Sequence, residues 1–289
     1  MKLCSYRRDG QDCYGVMRDD GIVDLTRRIG DRYSSLAALL RDQALDEARL
    51  AADGAEVDFA LDGVGYLPPI PEDVAIFCVG VNYHDHRQET GRTGETWPSA
   101  FAKLRQSLVG HEQALVRPAV SNIFDFEAEY TVVIGKAARN VAEKDALDYV
   151  AGYTIVNDGT IRDYQYERSV FQGKNFWRTG AAGPCMVTRD AAPDWADTVV
   201  ETRLNGEVMQ HATVDQLILG VPALVSYFSR QTLLRPGDMI ATGTPGGVGH
   251  RRTPPVYLKP GDRLEIEITG IGILANNVID EADAPNEEN

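Results

Sequence analysis

Three acidic residues at alternate positions, Asp125, Glu127 and Glu129, lie within the stretch Asp-Phe-Glu-Ala-Glu-Tyr-Thr-Val-Val-Ile over 125–134. Side chains on a strand alternate faces, so these carboxylates share one side, and Phe126, Ala128, Tyr130, Val132 and Ile134 form an unbroken apolar surface on the other. Acidic residues are depleted in strands, and like charges roughly 7 Å apart on one face repel, so enclosing that face demands compensation. A hard divalent cation supplies it: magnesium, manganese and calcium take oxygen ligands, and carboxylates two residues apart on a rigid strand can converge on one ion. An edge strand with its acidic side in water fits the alternation equally well, since charged edges deter aggregation.

A second candidate ligand, Asp158, ends the apolar segment Tyr153-Thr-Ile-Val-Asn-Asp158 before Gly159. By local pattern alone it reads more readily as an Asn-Asp-Gly turn, and only partnership with Glu127 and Glu129 raises it to a ligand. The segment Gly80-Val-Asn-Tyr-His84-Asp-His86-Arg-Gln-Glu89 carries two of the five histidines. If it is helical, His86 and Glu89 share a face, where the carboxylate can orient the imidazole. A rival reading makes His84 and His86 ligands of zinc or iron, and a third makes the segment an exposed polar helix start. Lys174, in Gln-Gly-Lys-Asn-Phe, has the charge to stabilise an anion, although most lysines are simply solvated. The glycine-rich stretch Thr242 to Gly249 matches neither nucleotide-binding loop pattern, and no Gly-x-Ser-x-Gly elbow marks a serine nucleophile.

The elements that must position these residues are mostly strands. Short strands punctuated by Asp9-Gly10 and Asp20-Gly21 open the chain, followed by a helical segment near Ser34 to Asp53. Pro68, Pro69 and Pro71 mark a junction between a small N-terminal region, 1–66, and a main region, 67–280, with an acidic tail over 281–289. Strands are expected over 74–81, 127–135, 150–157, 197–209, 238–243 and 263–268, two of them launched by Pro236-Gly-Asp238 and Pro260-Gly-Asp262 turns. Helices are expected over 161–171 and from Thr213 to Gln231, the latter interrupted near Pro222.

At 289 residues, 43% hydrophobic and 25% charged, the chain has the balance of a soluble globular protein. Its formal charge of −14 argues against nucleic acid and anionic membrane as partners, since both reward clustered Lys and Arg. Cys4, Cys13, Cys78 and Cys185 show no paired spacing and read as free thiols; with no export segment at the N-terminus and no bilayer-length apolar run, the expected location is the cytoplasm.

Taken in order, these blocks resemble the fumarylacetoacetate hydrolase family: Asn82-Tyr83-x-Asp85-His86-x-x-Glu89, Asp125-Phe-Glu127-Ala-Glu129, Gly152-Tyr-Thr with Asn157-Asp158, Arg162-Asp-Tyr-Gln165, Gly173-Lys174-Asn-Phe176, Asn205-Gly-Glu207, Pro236-Gly-Asp-Met-Ile-Ala-Thr-Gly-Thr244-Pro and Gly270-Ile-Gly272. The likeness runs from about Pro68 to Asp280 and only loosely covers 1–66. Phe126 stands where tyrosine is frequent, and Cys185-Met186 where an aromatic is common, departures that touch no proposed ligand. The resemblance implies an α+β fold, a mixed β-sandwich roll with flanking helices and a small N-terminal α/β region, assembled as a homodimer. It implies Glu127, Glu129 and Asp158 as ligands of Mg2+ or Mn2+, His86 with Glu89 as the dyad that activates water, and Lys174 as the group that stabilises enolate charge. Arg162, Gln165 and Thr244 would contact the carboxylate and keto oxygens of the substrate.

The expected activity is metal-dependent hydrolysis of the C–C bond of a 2,4-diketo acid of acylpyruvate type, with Arg87 to Pro98 as a lid. The same site would serve a decarboxylase or keto-enol isomerase acting on oxaloacetate or an aromatic-degradation intermediate. A reading of another class is a non-catalytic, metal-stabilised binding protein.

Overall fold

The chain begins as an antiparallel meander. Asp9 and Gly10 both take positive φ, 51° and 78°, the mirror-image turn whose twist suits a hairpin, and they join Lys2–Arg8 to Gln11–Arg18. Gly21–Asp24 adds the next strand. The computed structural model describes residues 1–91 and 98–285 of the 289. The expected helix over Ser34 to Asp53 is two helices, Leu36–Arg41 and Leu45–Ala52, because Gln43 adopts a positive φ of 56° between them. Ser35 caps the first, its hydroxyl accepting from the Ala38 N–H.

An 11-stranded mixed sheet dominates the molecule. Its path runs Gly21–Asp24, Gln11–Arg18, Lys2–Arg8, Gly180–Thr188, Val150–Asn157, Ala128–Ile134, Met239–Ala241, Ile76–Gly80, Ser99–Lys103. Ala128–Ile134 is thus interior, antiparallel to Val150–Asn157 on one side and to Met239–Ala241 on the other. That placement overturns the edge-strand alternative, because both of its backbone edges are already paired.

A second sheet of five strands orders Glu207–Thr213, Val199–Leu204, Arg263–Ile268, Gly272–Asp280 and Leu115–Arg117. The segment 197–209, expected as one strand, folds back on itself at Asn205 and Gly206, whose φ values of 52° and 83° make the same kind of hairpin turn. The two Pro-Gly-Asp turns form as their residues require. Gly237 and Gly261 take φ of 92° and 91°, and the following aspartates accept backbone N–H groups across the turn.

The main core lies between the two sheets. Tyr130, Val132, Ile134, Tyr153 and Ile155 of the large sheet meet Val200, Leu264, Ile266 and Leu274 of the smaller one. Val221, Leu224, Val225 and Phe228 of helix Val221–Gln231 close one side of it. Pro222 starts that helix rather than interrupting it, since a proline in the first turn forfeits no intrahelical bond. The opposite face of the large sheet buries Val133, Ala151, Val156 and Met239 under Leu36, Leu39, Leu40 and Ala48 of the N-terminal helices. Residues 1–66 therefore share a core with the main region, and Lys2–Arg8 pairs directly with Gly180–Thr188. No helix among the described residues is long and apolar enough to cross a membrane.

Candidate metal centre and its cavity

Strand pairing explains how residues 30 apart in sequence meet. Ala128 is opposite Asn157 at the ends of their strands, the Asp158 N–H donates to the Glu127 carbonyl at 2.8 Å, and the Glu127 N–H donates to Asn157 Oδ1 at 3.1 Å. Glu127 and Asp158 are thereby held side by side, with Glu129 two residues on from Glu127, inside strand Ala128–Ile134. Asp158 does not belong to a hairpin turn. The chain continues into Thr160–Ile161, which pairs with Phe124–Asp125, and Gly159 is required because a side chain there would run into the Thr179 carbonyl.

One oxygen from each of Glu127, Glu129 and Asp158 falls within 4.8 Å of the others, and all three residues are buried. Among the described residues this is the only such group of three or more His, Cys, Asp or Glu side chains. His84 is exposed and stands outside this group, so a paired His84–His86 ligand set gains no support from it. Asp125 points elsewhere. Its oxygens accept from the N–H groups of Gly249 and His250 at 2.9 and 3.0 Å and bind Arg162 Nε at 2.8 Å.

Three buried cations face this acidic group. Lys174 Nζ sits 2.7 Å from both Glu127 Oε2 and Asp158 Oδ2. Lys103 Nζ lies 2.8 Å from Asp158 Oδ1 and donates to the Lys174 carbonyl, while Arg162 bridges Glu127 and Asp125 at 2.7 Å each. Burial alone would raise the Glu127 carboxyl, but Lys174, Arg162 and His86 outweigh it and hold it below the usual carboxylate range. Burial and the neighbouring charges of Asp158 and Glu127 push Glu129 well above that range. The nearby Lys174 charge and the Gly243 N–H at 2.9 Å oppose that shift without cancelling it.

The donor set fits a divalent ion. With Glu129 ionised, the four buried carboxylates Asp125, Glu127, Glu129 and Asp158 outnumber the three buried cations by one negative charge. A doubly charged ion would turn that deficit into a single positive charge, a setting that favours an anionic ligand. Moreover, the Asp158 oxygens lie at ion-pair distance from the two lysines yet accept no hydrogen bond, which leaves lone pairs available for coordination.

The histidine arrives from another element. Helix His84–Thr90 follows strand Ile76–Gly80 and places His86 inward, where Nδ1 is 2.8 Å from Glu89 Oε2. A carboxylate only accepts, so Nδ1 carries a proton toward Glu89, and in the neutral ring Nε2 is the acceptor. The helix docks on the glycine-rich loop through two carboxylates: Asp85 accepts from the Gly246 N–H at 3.0 Å and Glu89 from the Gly247 N–H at 3.1 Å.

A cavity of about 90 Å3 opens above this group, lined by His86, Glu127, Arg162, Gln165, Lys174 and Thr244 among others. Glu129 and Asp158 do not line it, and Glu89 stands behind His86. At roughly 10–15 Å3 for each water-sized group, the cavity suits a ligand of a few carbons. The nine site residues named from sequence therefore come together in one place.

Several residues of this place were missed by sequence reading. Lys103 and Gln210 lie far along the chain from their contacts and carry no local signal. Gln210 Nε2 donates to Thr244 Oγ1 at 2.8 Å, and its Oε1 accepts from the Ala128 N–H. Asp125 was visible in the alternation, but its link to Arg162 was not. The expected lid, Arg87 to Pro98, includes residues 92–97, which lie outside the described residues.

Fold and site together define a sheet-rich α+β protein with a buried acidic trio able to hold a divalent ion. The chain belongs to the fumarylacetoacetate hydrolase family, whose C-terminal domain matches residues 75–279. It is 36% identical over 241 residues to the mitochondrial oxaloacetate tautomerase of Xenopus laevis, an overlap covering 82% of this chain and 76% of that one. It is 38% identical to the 4-hydroxyphenylacetate degradation bifunctional isomerase/decarboxylase of Salmonella dublin, over 89% of this chain and 57% of that protein. The solved structure of maleylpyruvate hydrolase from Sphingobium sp. SYK-6, in complex with manganese(II) and pyruvate, matches with a TM-score of 0.80 and 30% identity over 97% of this chain and 99% of that one. These relatives are enzymes acting on small acids.

Proposed function

We propose that this chain is a divalent-metal-dependent hydrolase that cleaves the C3–C4 bond of a 2,4-diketo acid. The observation that carries the reading is the His86–Glu89 pair facing the same cavity as Glu127, Arg162 and Lys174. Glu127, Glu129 and Asp158 would hold Mg2+ or Mn2+, which when bound polarises the 2-oxo acid end of the substrate and favours enolate charge there. Arg162 and Gln165 bind the carboxylate and keto oxygens, with the Arg162 guanidinium fixed by Asp125 and the Gln165 amide by Arg162 Nη1 at 2.9 Å. The Thr244 hydroxyl accepts from Gln210 and lines the cavity, so its own proton is available to a ligand there.

His86 Nε2 takes a proton from water as the water oxygen bonds to C4, and Glu89 stabilises the imidazolium that results. The C3–C4 bond breaks, its electron pair passes to the enolate, and Lys174 lies beside that developing charge. Protonation at C3 then yields a 2-oxo acid and a carboxylic acid. The maleylpyruvate hydrolase structure with manganese and pyruvate supports this outcome for a relative.

A second reading, keto-enol isomerisation or decarboxylation of a 2-oxo acid such as oxaloacetate, is favoured by the tautomerase and isomerase/decarboxylase relatives. Enolate stabilisation serves all of these reactions, whereas only hydrolysis requires His86 to deprotonate water. The deciding experiment assays acylpyruvates, oxaloacetate and diketo sugar acids with Mg2+ and with chelator. Chelator-sensitive release of a 2-oxo acid and a carboxylic acid is expected; enolisation or CO2 release alone would select the second reading. No turnover on any of them would leave a metal-stabilised binding protein. A homodimer in the cytoplasm belongs to the same proposal, with sedimentation velocity to test the assembly.

A further inference from the structure

Of the three buried cations that face the acidic group, Lys103 alone has no part in the proposed chemistry. Arg162 and Lys174 line the cavity, and Lys103 does not. Its side chain is wholly buried, with Nζ 2.8 Å from Asp158 Oδ1 and 2.6 Å from the Lys174 carbonyl oxygen. It acts on a ligand in the cavity through its charge, without touching it.

The fold makes room for this lysine. Ser99–Lys103 is the last strand of the large sheet, and Asn175, next to Lys174, fastens it by accepting from the Leu104 N–H at 2.6 Å and donating to the Ala102 carbonyl at 3.1 Å. Gly180 leaves a passage for the stem, since a Cβ there would lie 2.9 Å from Lys103 Cε. Burying an ammonium is costly, and apolar side chains of similar size often replace buried ion pairs without loss of stability. Holding Asp158 does not by itself require a second lysine, because Lys174 already binds the other oxygen of that carboxylate at 2.7 Å.

Charge is what Lys103 adds. With Glu129 ionised and a divalent ion bound, the buried groups sum to one positive charge, and without Lys103 they would sum to zero. We propose that Lys103 is an electrostatic positioning residue that keeps the ion-loaded centre positive, loosening the hold on the divalent ion and tightening that on the anionic substrate. This rests on the metal reading of Glu127, Glu129 and Asp158 and adds what sets the balance between ion and substrate. Its signature is a pair of opposite shifts, whereas loss of a merely structural lysine would loosen the site for both ligands.

The test replaces Lys103 in the full chain by Gln and by Met, which remove the charge, and by Arg, which keeps it. Urea unfolding with chelator present first establishes that each variant folds. Calorimetry then measures Mg2+ binding to the metal-free chain and pyruvate binding at saturating Mg2+. Lys103→Gln and Lys103→Met are expected to bind Mg2+ about tenfold more tightly and pyruvate about tenfold less tightly, at least the scale of one buried unit charge at an effective dielectric constant of about 20. Lys103→Arg is expected to return both affinities toward those of the unsubstituted chain. Weakening of both ligands together, an unchanged affinity for either, or loss of cooperative unfolding in both neutral variants overturns the assignment. Absence of Mg2+ and Mn2+ binding in the unsubstituted chain would instead bring down the metal reading beneath it.

Discussion

Asp125 shows how much of this site depends on one residue outside the trio of proposed metal ligands. It is fully buried and accepts from Arg162, Gly249, His250 and Phe126, so it joins the guanidinium to the glycine-rich loop. Asp125→Asn removes the charge and turns an amide N–H toward these donors; a loss of about 3–5 kcal/mol is expected in urea unfolding, with a raised KM for any substrate that Arg162 binds. The proposed ligands and base separate by a different pair of measurements. Glu127→Ala or Asp158→Ala is expected to abolish metal-dependent turnover and the thermal stabilisation by excess Mg2+, which is about 2.7 kcal/mol at a hundredfold excess over Kd. His86→Gln is expected to keep that stabilisation while turnover falls by about 10²–10⁴. Loss of Mg2+ stabilisation in His86→Gln would move the histidine into the metal shell.

Between elements, the positions of Lys174 and of the 110–113 loop can be tested by single changes. The helices Arg162–Glu167 and Val170–Lys174 separate at Arg168 and pack through Gly173, where a Cβ would lie 2.6 Å from the Gln165 backbone nitrogen. Gly173→Ala is expected to cost about 1–3 kcal/mol by overpacking and to shift Lys174, lowering turnover. Unaltered activity in that variant would show that Lys174 tolerates displacement. In the 110–113 loop, His111 Nδ1 accepts from the Ala275 N–H at 3.1 Å, and burial lowers its pKa below the ordinary 6.5. The unfolded chain then binds more protons than the folded one as pH falls below about 6.5, so this contribution to stability is present above that pH and is lost below it. Unfolding free energy measured across that range should fall less steeply in His111→Gln, with His250, shifted the same way, accounting for part of the remaining slope.

For the whole molecule, the shared core of residues 1–66 and the large sheet sets the unit of stability. Leu3, Val23, Leu36 and Leu39 pack in the same cluster as Ile76, Val133 and Met239. Calorimetry is expected to show one cooperative transition, and a chain lacking residues 1–66 should expose this face and fail to unfold cooperatively. Two separate transitions would mean that the N-terminal region is an independent unit.

What the sequence determined by itself was local: the alternation across 125–134, the Asp-Gly and Pro-Gly-Asp turns, the His86–Glu89 spacing, and the ordered blocks that carry the family resemblance. These are legible because strand period, turn chemistry and helix spacing act over a few residues. Tertiary structure decided the rest. It placed Ala128–Ile134 inside the sheet, broke two expected helices at Gln43 and Arg168, and brought Lys103 against Asp158 and Gln210 against Thr244. None of these has a local cause, because each depends on which strands pair and in what register, and that is settled by burying both faces of a sheet whose neighbouring strands lie far apart along the chain.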